Sequence, residues 1–200
     1  MLRRFIDTKT IFVHIPKAAG VSIIKSLYGE NVKLIGHPTL KCIYKAVGEK
    51  NKNITVICFA RNPYTRLASA YFFLKSGGMN SVDAMFAKKY LRDFDSFESF
   101  VMSGLGNKAI MDYMHFKPQV DYIDGVGEFD NVKVIVKKYE NIDESYKEVV
   151  ESIGFGGELG SHNITKSLEK NEVFFTDEMK AKIFSIYKSD FSYFGYGYEP

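Results

Sequence analysis

Apolar positions along the chain fall into short β-branched runs that alternate with stretches of helical spacing. Thr10–Ile15 (TIFVHI) is such a run and stops at Pro16, which predicts a short buried strand. Val21–Tyr28 resumes with helical period. Val32–Ile35 reads as a second short strand ended by Gly36-His37-Pro38, and Leu40–Val47 as a helix. Ile54–Ala60 (ITVICFA) is a continuous apolar run, as a strand buried on both faces of a parallel sheet requires. Asn62 then stands where a helix cap belongs and Pro63 in the first helical turn, opening a helix to about Leu74. Ser81–Met114 predicts two or three helices and Val132–Val136 (VKVIV) a further strand. Ile142–Ile153 and Asp177–Tyr187 predict amphipathic helices, the second capped by Thr176. Strands alternating with helices predict an α/β architecture with a mainly parallel sheet of four or five strands flanked by helices. No repeat, low-complexity tract or long linker interrupts the pattern, so residues 1–200 are expected to form one domain.

Composition agrees with a globular chain: 46% of the 200 residues are hydrophobic and 26% charged, enough for a full-sized core and too apolar for disorder. No apolar run approaches the ~18 residues that would span a bilayer. The opening Met1-Leu2-Arg3-Arg4-Phe5 has two positive charges but no apolar stretch long enough for a signal peptide. The chain is therefore expected to be soluble and cytoplasmic, with the Asn-Ile-Thr sequons at Asn53 and Asn163 incidental. Cys42 and Cys58 are too few for a disulfide framework and are expected to be buried, reduced thiols. Charge is distributed unevenly. Residues 1–75 carry 13 Lys or Arg against three Asp or Glu, and the remainder 14 against 21. The basic part has no Lys/Arg run of the sort that coats nucleic acid. Its spacing suits a pocket for a compact polyanion, although a plain solvated basic face fits the same charges.

In open parallel sheets ligands sit beyond the carboxyl ends of strands, so three strand ends matter. The first is Lys17-Ala18-Ala19-Gly20-Val21-Ser22, between strand and helix. Small residues let backbone N–H groups approach an anion, the helix N-terminus adds partial positive charge, and Lys17 supplies a point charge. An ordinary tight turn fits the same residues. The triphosphatase pattern is absent, because it needs an earlier Gly and a Lys-Ser/Thr pair after the last one. The second strand end is Arg61, with Ser69 two turns into the following helix. A guanidinium fork and a hydroxyl make a seat for a phosphate monoester. Arg66 and Tyr71 are expected only to cover the helix surface. Nucleotide triphosphatases commonly place a magnesium-holding Asp at such a strand end; Arg61 repels a metal and attracts a phosphate, so the site is expected to be metal-free. The third end is Ile35-Gly36-His37-Pro38, where His37 fits either a functional imidazole or a loop residue packed beside Pro38.

These residues resemble a known family. Phe12-Val13-His14-Ile15-Pro16-Lys17-Ala18-Ala19-Gly20-Val21-Ser22-Ile23 is similar to the 5′-phosphosulfate loop of sulfotransferases, F-x-H-I-P-K-T-A/G-G-T-S. Arg61 through Tyr71 is similar to their 3′-phosphate motif, R-N-P-Y-x-R-L-x-S-x-Y. Further similarity lies at Lys117–Tyr122, Lys138–Asn141, His162-Asn163 and the tail Tyr187–Tyr196, so the resemblance touches nearly the whole chain. It is nearest to the carbohydrate (Golgi-type) and bacterial branch. The resemblance implies a single domain of the P-loop NTPase kind and a sulfuryl donor, 3′-phosphoadenosine 5′-phosphosulfate. It also implies an acceptor hydroxyl, on a carbohydrate for this branch. It implies that Lys17 and residues 17–22 hold the phosphosulfate, that Arg61 and Ser69 hold the 3′-phosphate, and that His37 is the general base, a task an imidazole suits at neutral pH. His14 is the competing base; His115 and His162 have weaker claims. Ala18 and Val21 depart from the pattern, both being Thr in the usual motif, and leave the backbone donors in place.

Two rival classes stay open at this point. A P-loop kinase or nucleotide hydrolase lacks its signature here and would depend on magnesium. A non-catalytic carbohydrate-binding relative would keep the fold without turnover, and the substituted loop positions leave room for it. Aromatic residues make up 15% of the chain, 13 Tyr and 17 Phe with no Trp, and serve either core packing or a sugar platform.

Overall fold

A fully buried central strand organises the first part of the molecule. The computed structural model describes residues 1–47, 53–125, 127, 131–160 and 173–200. In chain order the elements are α1 (Leu2–Thr8), β1 (Thr10–Val13), α2 (Gly20–Tyr28), α3 (Leu40–Val47), β2 (Thr55–Ala60), α4 (Pro63–Lys75) and α5 (Ser81–Tyr90). There follow α6 (Phe97–Ser99), a π-helical turn (Phe100–Gly104), α7 (Lys108–Met111), α8 (Val120–Ile123), β3 (Lys133–Lys138), a 3₁₀ turn (Tyr139–Asn141), α9 (Ile142–Ile153), α10 (Asp177–Ile186) and α11 (Lys188–Phe194). The chain divides into two compact units. One comprises Met1–Arg61 and Gln119–Ile164, the other Asn62–Pro118 and Thr165–Pro200.

The first unit holds the sheet. Its strands are parallel in the order β1-β2-β3, with Thr10 opposite Thr55 and Val13 opposite Cys58 on one side of β2, and Thr55 opposite Lys133 through Ala60 opposite Lys138 on the other. β1 is buried at every position and β2 at all but its first, as apolar runs covered on both faces should be. β3 alternates between half-buried and exposed and brings lysines to its ends, the composition of an edge strand. Burial pushes the Cys58 thiol of β2 up to about 12, which makes it an inert core residue. Phe5 of α1 meets Tyr28 edge-on at 5.5 Å, and the Tyr28 hydroxyl donates to the Thr10 carbonyl at 3.0 Å, tying α1 and α2 to the start of β1.

Three strands lie among the described residues where the sequence pattern predicted four or five. Val32–Ile35 is irregular chain, not the expected second strand. Lys33 and Leu34 are exposed, so the segment lacks the two covered faces that a parallel strand needs, and no strand among the described residues pairs with it. Cys42 corrects a second expectation: it is exposed, because α3 turns Leu40, Ile43, Tyr44 and Val47 inward and leaves position 42 on the opposite face. His162 and Asn163 lie outside the described residues.

The second unit is helical and aromatic. Asn62 caps α4 by accepting from the Tyr64 N–H at 2.9 Å, with Pro63 in the first turn as its fixed φ favours. α4 is buried on most of its surface, and its Leu67, Tyr71 and Leu74 share one core cluster with Phe100, Phe116 and Ile183. Tyr71 stacks on Phe100 at 5.0 Å. Most rings of this unit therefore serve packing. Arg66 and Tyr71, expected on the helix surface, are both buried. The Arg66 guanidinium, only 1% exposed, donates to the carbonyls of Lys117 (2.9 Å) and His115 (3.4 Å), and the Tyr71 hydroxyl donates to Phe94 (3.2 Å). A helix surrounded on most sides leaves no solvent face for them, and carbonyl acceptors offset the cost of burying the charge. Among the described residues no helix is long and apolar enough to cross a membrane.

Asp83 of α5 is buried and collects donors from the Tyr113 hydroxyl (2.5 Å) and the Met79 N–H (2.9 Å), with His115 Nε2 at 3.5 Å. Burial opposes its charge, but these contacts outweigh it and hold the carboxyl below its ordinary value. A depressed carboxyl contributes stability that is complete above the ordinary carboxylate range and lost as pH falls through the depressed value. Asp83→Asn should therefore destabilise the protein by about 1–3 kcal/mol at neutral pH. The gap to the parent should close as pH drops below about 4. Urea denaturation of both proteins across that range measures it.

Candidate functional site

The carboxyl ends of β1 and β2 leave the sheet side by side, since the two strands are parallel neighbours. Beyond β1 the chain runs through His14, Ile15 and Pro16 into a turn in which Lys17 (φ 70°) and Ala19 (φ 56°) both adopt left-handed backbone. For residues with a side chain each such conformation costs on the order of 1–3 kcal/mol, which the surrounding packing must hold in place. Ala19 is the N-cap of α2, and its methyl side chain makes no cap hydrogen bond to the first-turn N–H groups. Ala18 and Gly20 are buried, Lys17, Ala19 and Val21 half-buried, and Ser22 is 6% exposed.

His14 forms the floor of this turn. Its ring lies so close to Gly20 that a Cβ there would fall 1.9 Å from His14 Cδ2. Glycine at position 20 is dictated by that imidazole. The His37 ring leans over His14 with centroids 4.0 Å apart, and His37 Nδ1 sits 3.0 Å from the His14 carbonyl oxygen. A carbonyl only accepts, so Nδ1 carries the proton of this bond. In the neutral ring Nε2 then holds the lone pair. His14 and His37, which compete for one role on sequence grounds, thus form one contacting pair, their rings tilted 51° to each other.

Arg61 follows the last residue of β2. Its guanidinium donates from Nη1 to the Lys17 carbonyl at 3.3 Å and lies over the Tyr139 ring, 4.5 Å from the centroid. Its backbone is held separately. The Arg61 N–H donates to Gln119 Oε1 at 2.9 Å, and Gln119 Nε2 donates to the Arg61 carbonyl at 2.8 Å. Gln119 and Tyr139 lie in two of the further resembling segments, but their bond to Arg61 was not foreseen. A glutamine after Lys117-Pro118 and a tyrosine after a lysine-rich strand carry no spacing signal toward residue 61.

Of the residues expected at the site, the first unit brings Arg61 to Lys17 and His37 to His14, with the Gly20–Ser22 turn on the His14 floor. Ser69 belongs to α4 of the second unit and is 2% exposed. His115 is committed to the Asp83 cluster of that unit. A surface cleft of about 650 Å³ lined by Arg3, Arg4, Tyr28, Asn31 and Lys33 shares no residue with the turn, and carries no chemistry foreseen from the sequence.

A family model described as the Sulfotransferase family matches residues 6–197. The chain belongs to the Sulfotransferase family. Searches of curated proteins and of solved structures gave no match. Family membership gives this sulfotransferase its general chemistry: transfer of a sulfuryl group from a sulfate donor to a hydroxyl-bearing acceptor.

The packing of His14 on Gly20 makes a prediction about the sulfotransferase turn. Gly20→Ala should cost about 1–3 kcal/mol, as overpacking does. In a His14→Ala background the same substitution should cost clearly less, because the clashing ring is gone. Denaturation of the four proteins of this cycle reads the difference.

Proposed function

We propose that this sulfotransferase takes its sulfuryl group from 3′-phosphoadenosine 5′-phosphosulfate and passes it, without a metal, to a hydroxyl of a carbohydrate. The whole of residues 1–200 is read as one sulfotransferase domain of the P-loop NTPase kind. The observation that carries the reading is the bond from the Arg61 guanidinium to the Lys17 carbonyl, which puts the cation of one phosphate motif against the loop of the other. The residues fit such a donor. A helix start whose N-cap is an alanine, a lysine in the preceding turn and an arginine at the neighbouring strand end are seats for phosphate oxygens, and none of the three is a metal ligand. The carbohydrate acceptor rests on the resemblance to the carbohydrate branch. Phe174, Tyr193 and Tyr198 present exposed rings of the kind that stack on sugars.

In the proposed reaction the acceptor oxygen attacks sulfur in line with the bridging phosphate oxygen. A bond from sulfur to the acceptor forms and the bond to the bridging oxygen breaks, its electron pair leaving with adenosine 3′,5′-bisphosphate. His37 Nε2 takes the acceptor's proton, with Nδ1–H anchored on His14. Lys17 and the N–H groups of Gly20, Val21 and Ser22 stabilise charge on the departing oxygen, where it develops. Ala18 and Ala19 shape the turn around it. Arg61 and Ser69 hold the 3′-phosphate and fix the donor's position.

Adenosine 3′,5′-bisphosphate should bind equally well with and without a chelator. Arg61→Ala should weaken it by about 2–3 kcal/mol, the worth of a charged partner on a phosphate. Titration calorimetry tests both. Tighter, magnesium-dependent binding of ATP would overturn the proposal in favour of a kinase-like enzyme.

His37→Ala should leave bisphosphate affinity nearly unchanged while the transfer rate falls by about 10²–10⁴, the usual worth of a positioned acid–base group. The parent rate should rise with pH as His37 loses its proton, and that limb should be missing from the variant. Full activity of His37→Ala at saturating acceptor would move the base to another group.

A further inference from the structure

We infer that Gln119 is the positioning residue of the donor site, acting through Arg61; the inference rests on the reading of Arg61 as the holder of the 3′-phosphate. Ladder pairing of β2 ends at Cys58 on the β1 side and at Ala60 on the β3 side. Arg61 is the first residue past both. A chain leaving a sheet at such a point has its next N–H and C=O unclaimed by either neighbour, and its backbone torsions are set by little. Here a single carboxamide takes both groups, accepting from the N–H at 2.9 Å and donating to the carbonyl at 2.8 Å. The primary amide reproduces the donor and acceptor of one more strand residue.

The carboxamide is itself fixed. Gln119 is 0% exposed and stands at the start of α8, where its own carbonyl accepts from the Tyr122 N–H at 3.1 Å. Arg61 is therefore referenced to α8 by its backbone, and to the Lys17 turn and the Tyr139 ring by its guanidinium. The long side chain amplifies any backbone rotation at its root, and a misplacement of about 1 Å in a positioned group can cost on the order of 10²-fold. The chemistry demands glutamine. Glutamate keeps the acceptor for the Arg61 N–H but offers the carbonyl only another negative oxygen, and methionine matches the shape while leaving both backbone groups unsatisfied. A Gln119 that merely stabilised the fold would lower the melting temperature without favouring one nucleotide over another.

The test compares adenosine 3′,5′-bisphosphate with adenosine 5′-monophosphate, which lacks the 3′-phosphate, by calorimetry on the full chain. The proteins are the parent, Gln119→Met, Gln119→Glu, Arg61→Ala and the Gln119→Met/Arg61→Ala double variant. Gln119→Met should weaken bisphosphate binding by about 10- to 100-fold and monophosphate binding by less than about threefold. The double variant should bind the bisphosphate no more weakly than Arg61→Ala alone, because Gln119 works only through that side chain. Gln119→Glu, which keeps one of the two bonds, should show the same selective loss and serves in place of Gln119→Met if that protein does not fold. Equal loss on both nucleotides, retention of bisphosphate affinity, or additivity in the double variant overturns the role of Gln119. A parent protein that does not prefer the 3′-phosphorylated nucleotide, or an Arg61→Ala variant that keeps the preference, overturns the underlying reading of Arg61 instead, and Gln119's role with it.

Discussion

Burial of β2 on both faces and both edges is the constraint from which the first unit follows. A strand with an apolar side chain at each position from Val56 to Ala60 has no solvent side, so it must lie in the middle of a parallel sheet. Once it does, the chain can become polar only at the carboxyl edge. Arg61 is the first residue free to carry charge, and it does so next to the turn leaving β1. The hydrophobic effect sets where the cation emerges; hydrogen bonds then set where it points.

The turn after β1 shows a different balance. Lys17 and Ala19 hold left-handed backbone that glycine would adopt at no steric cost. Glycine stands one residue later, inside the helix, at the place where the His14 ring leaves no room for a Cβ. The strain at 17 and 19 is thus borne by a lysine and an alanine, and the glycine answers a packing demand. Arg61 bonding the Lys17 carbonyl and His14 packing under Gly20 are among the contacts that hold this turn in its strained form.

Much of this was legible in the sequence because it depended on local signals. α3 and α9 match the predicted bounds at both ends, and the Asn62 and Thr176 caps were placed correctly because cap, proline and apolar period agree over a few residues. The strand ends carrying Lys17 and Arg61 were found for the same reason. What failed needed knowledge of neighbours. Val32–Ile35 has strand composition, but no strand among the described residues pairs with it. Arg66 has the formula of a surface residue and is buried because two carbonyls distant in sequence are there to receive it. The pairing of His37 with His14, and of Gln119 with Arg61, joins residues 23 and 58 positions apart. No periodicity in one sequence encodes such a match; only the folded chain brings the partners together.

The Gln119 clamp has a consequence for solvent access to the backbone. Amide protons of a sheet exchange slowly because the ladder must open before water reaches them, and protection ordinarily decays where pairing stops. In this molecule the Arg61 N–H lies one residue beyond the last paired position, yet its acceptor is a side chain that is fully enclosed. Exchange of that proton therefore requires release of the Gln119 side chain, and fraying of the strand alone does not free it. The edge of the protected core therefore extends to the arginine itself, so that the side chain bearing the charge is rooted in backbone held as firmly as the strand it follows.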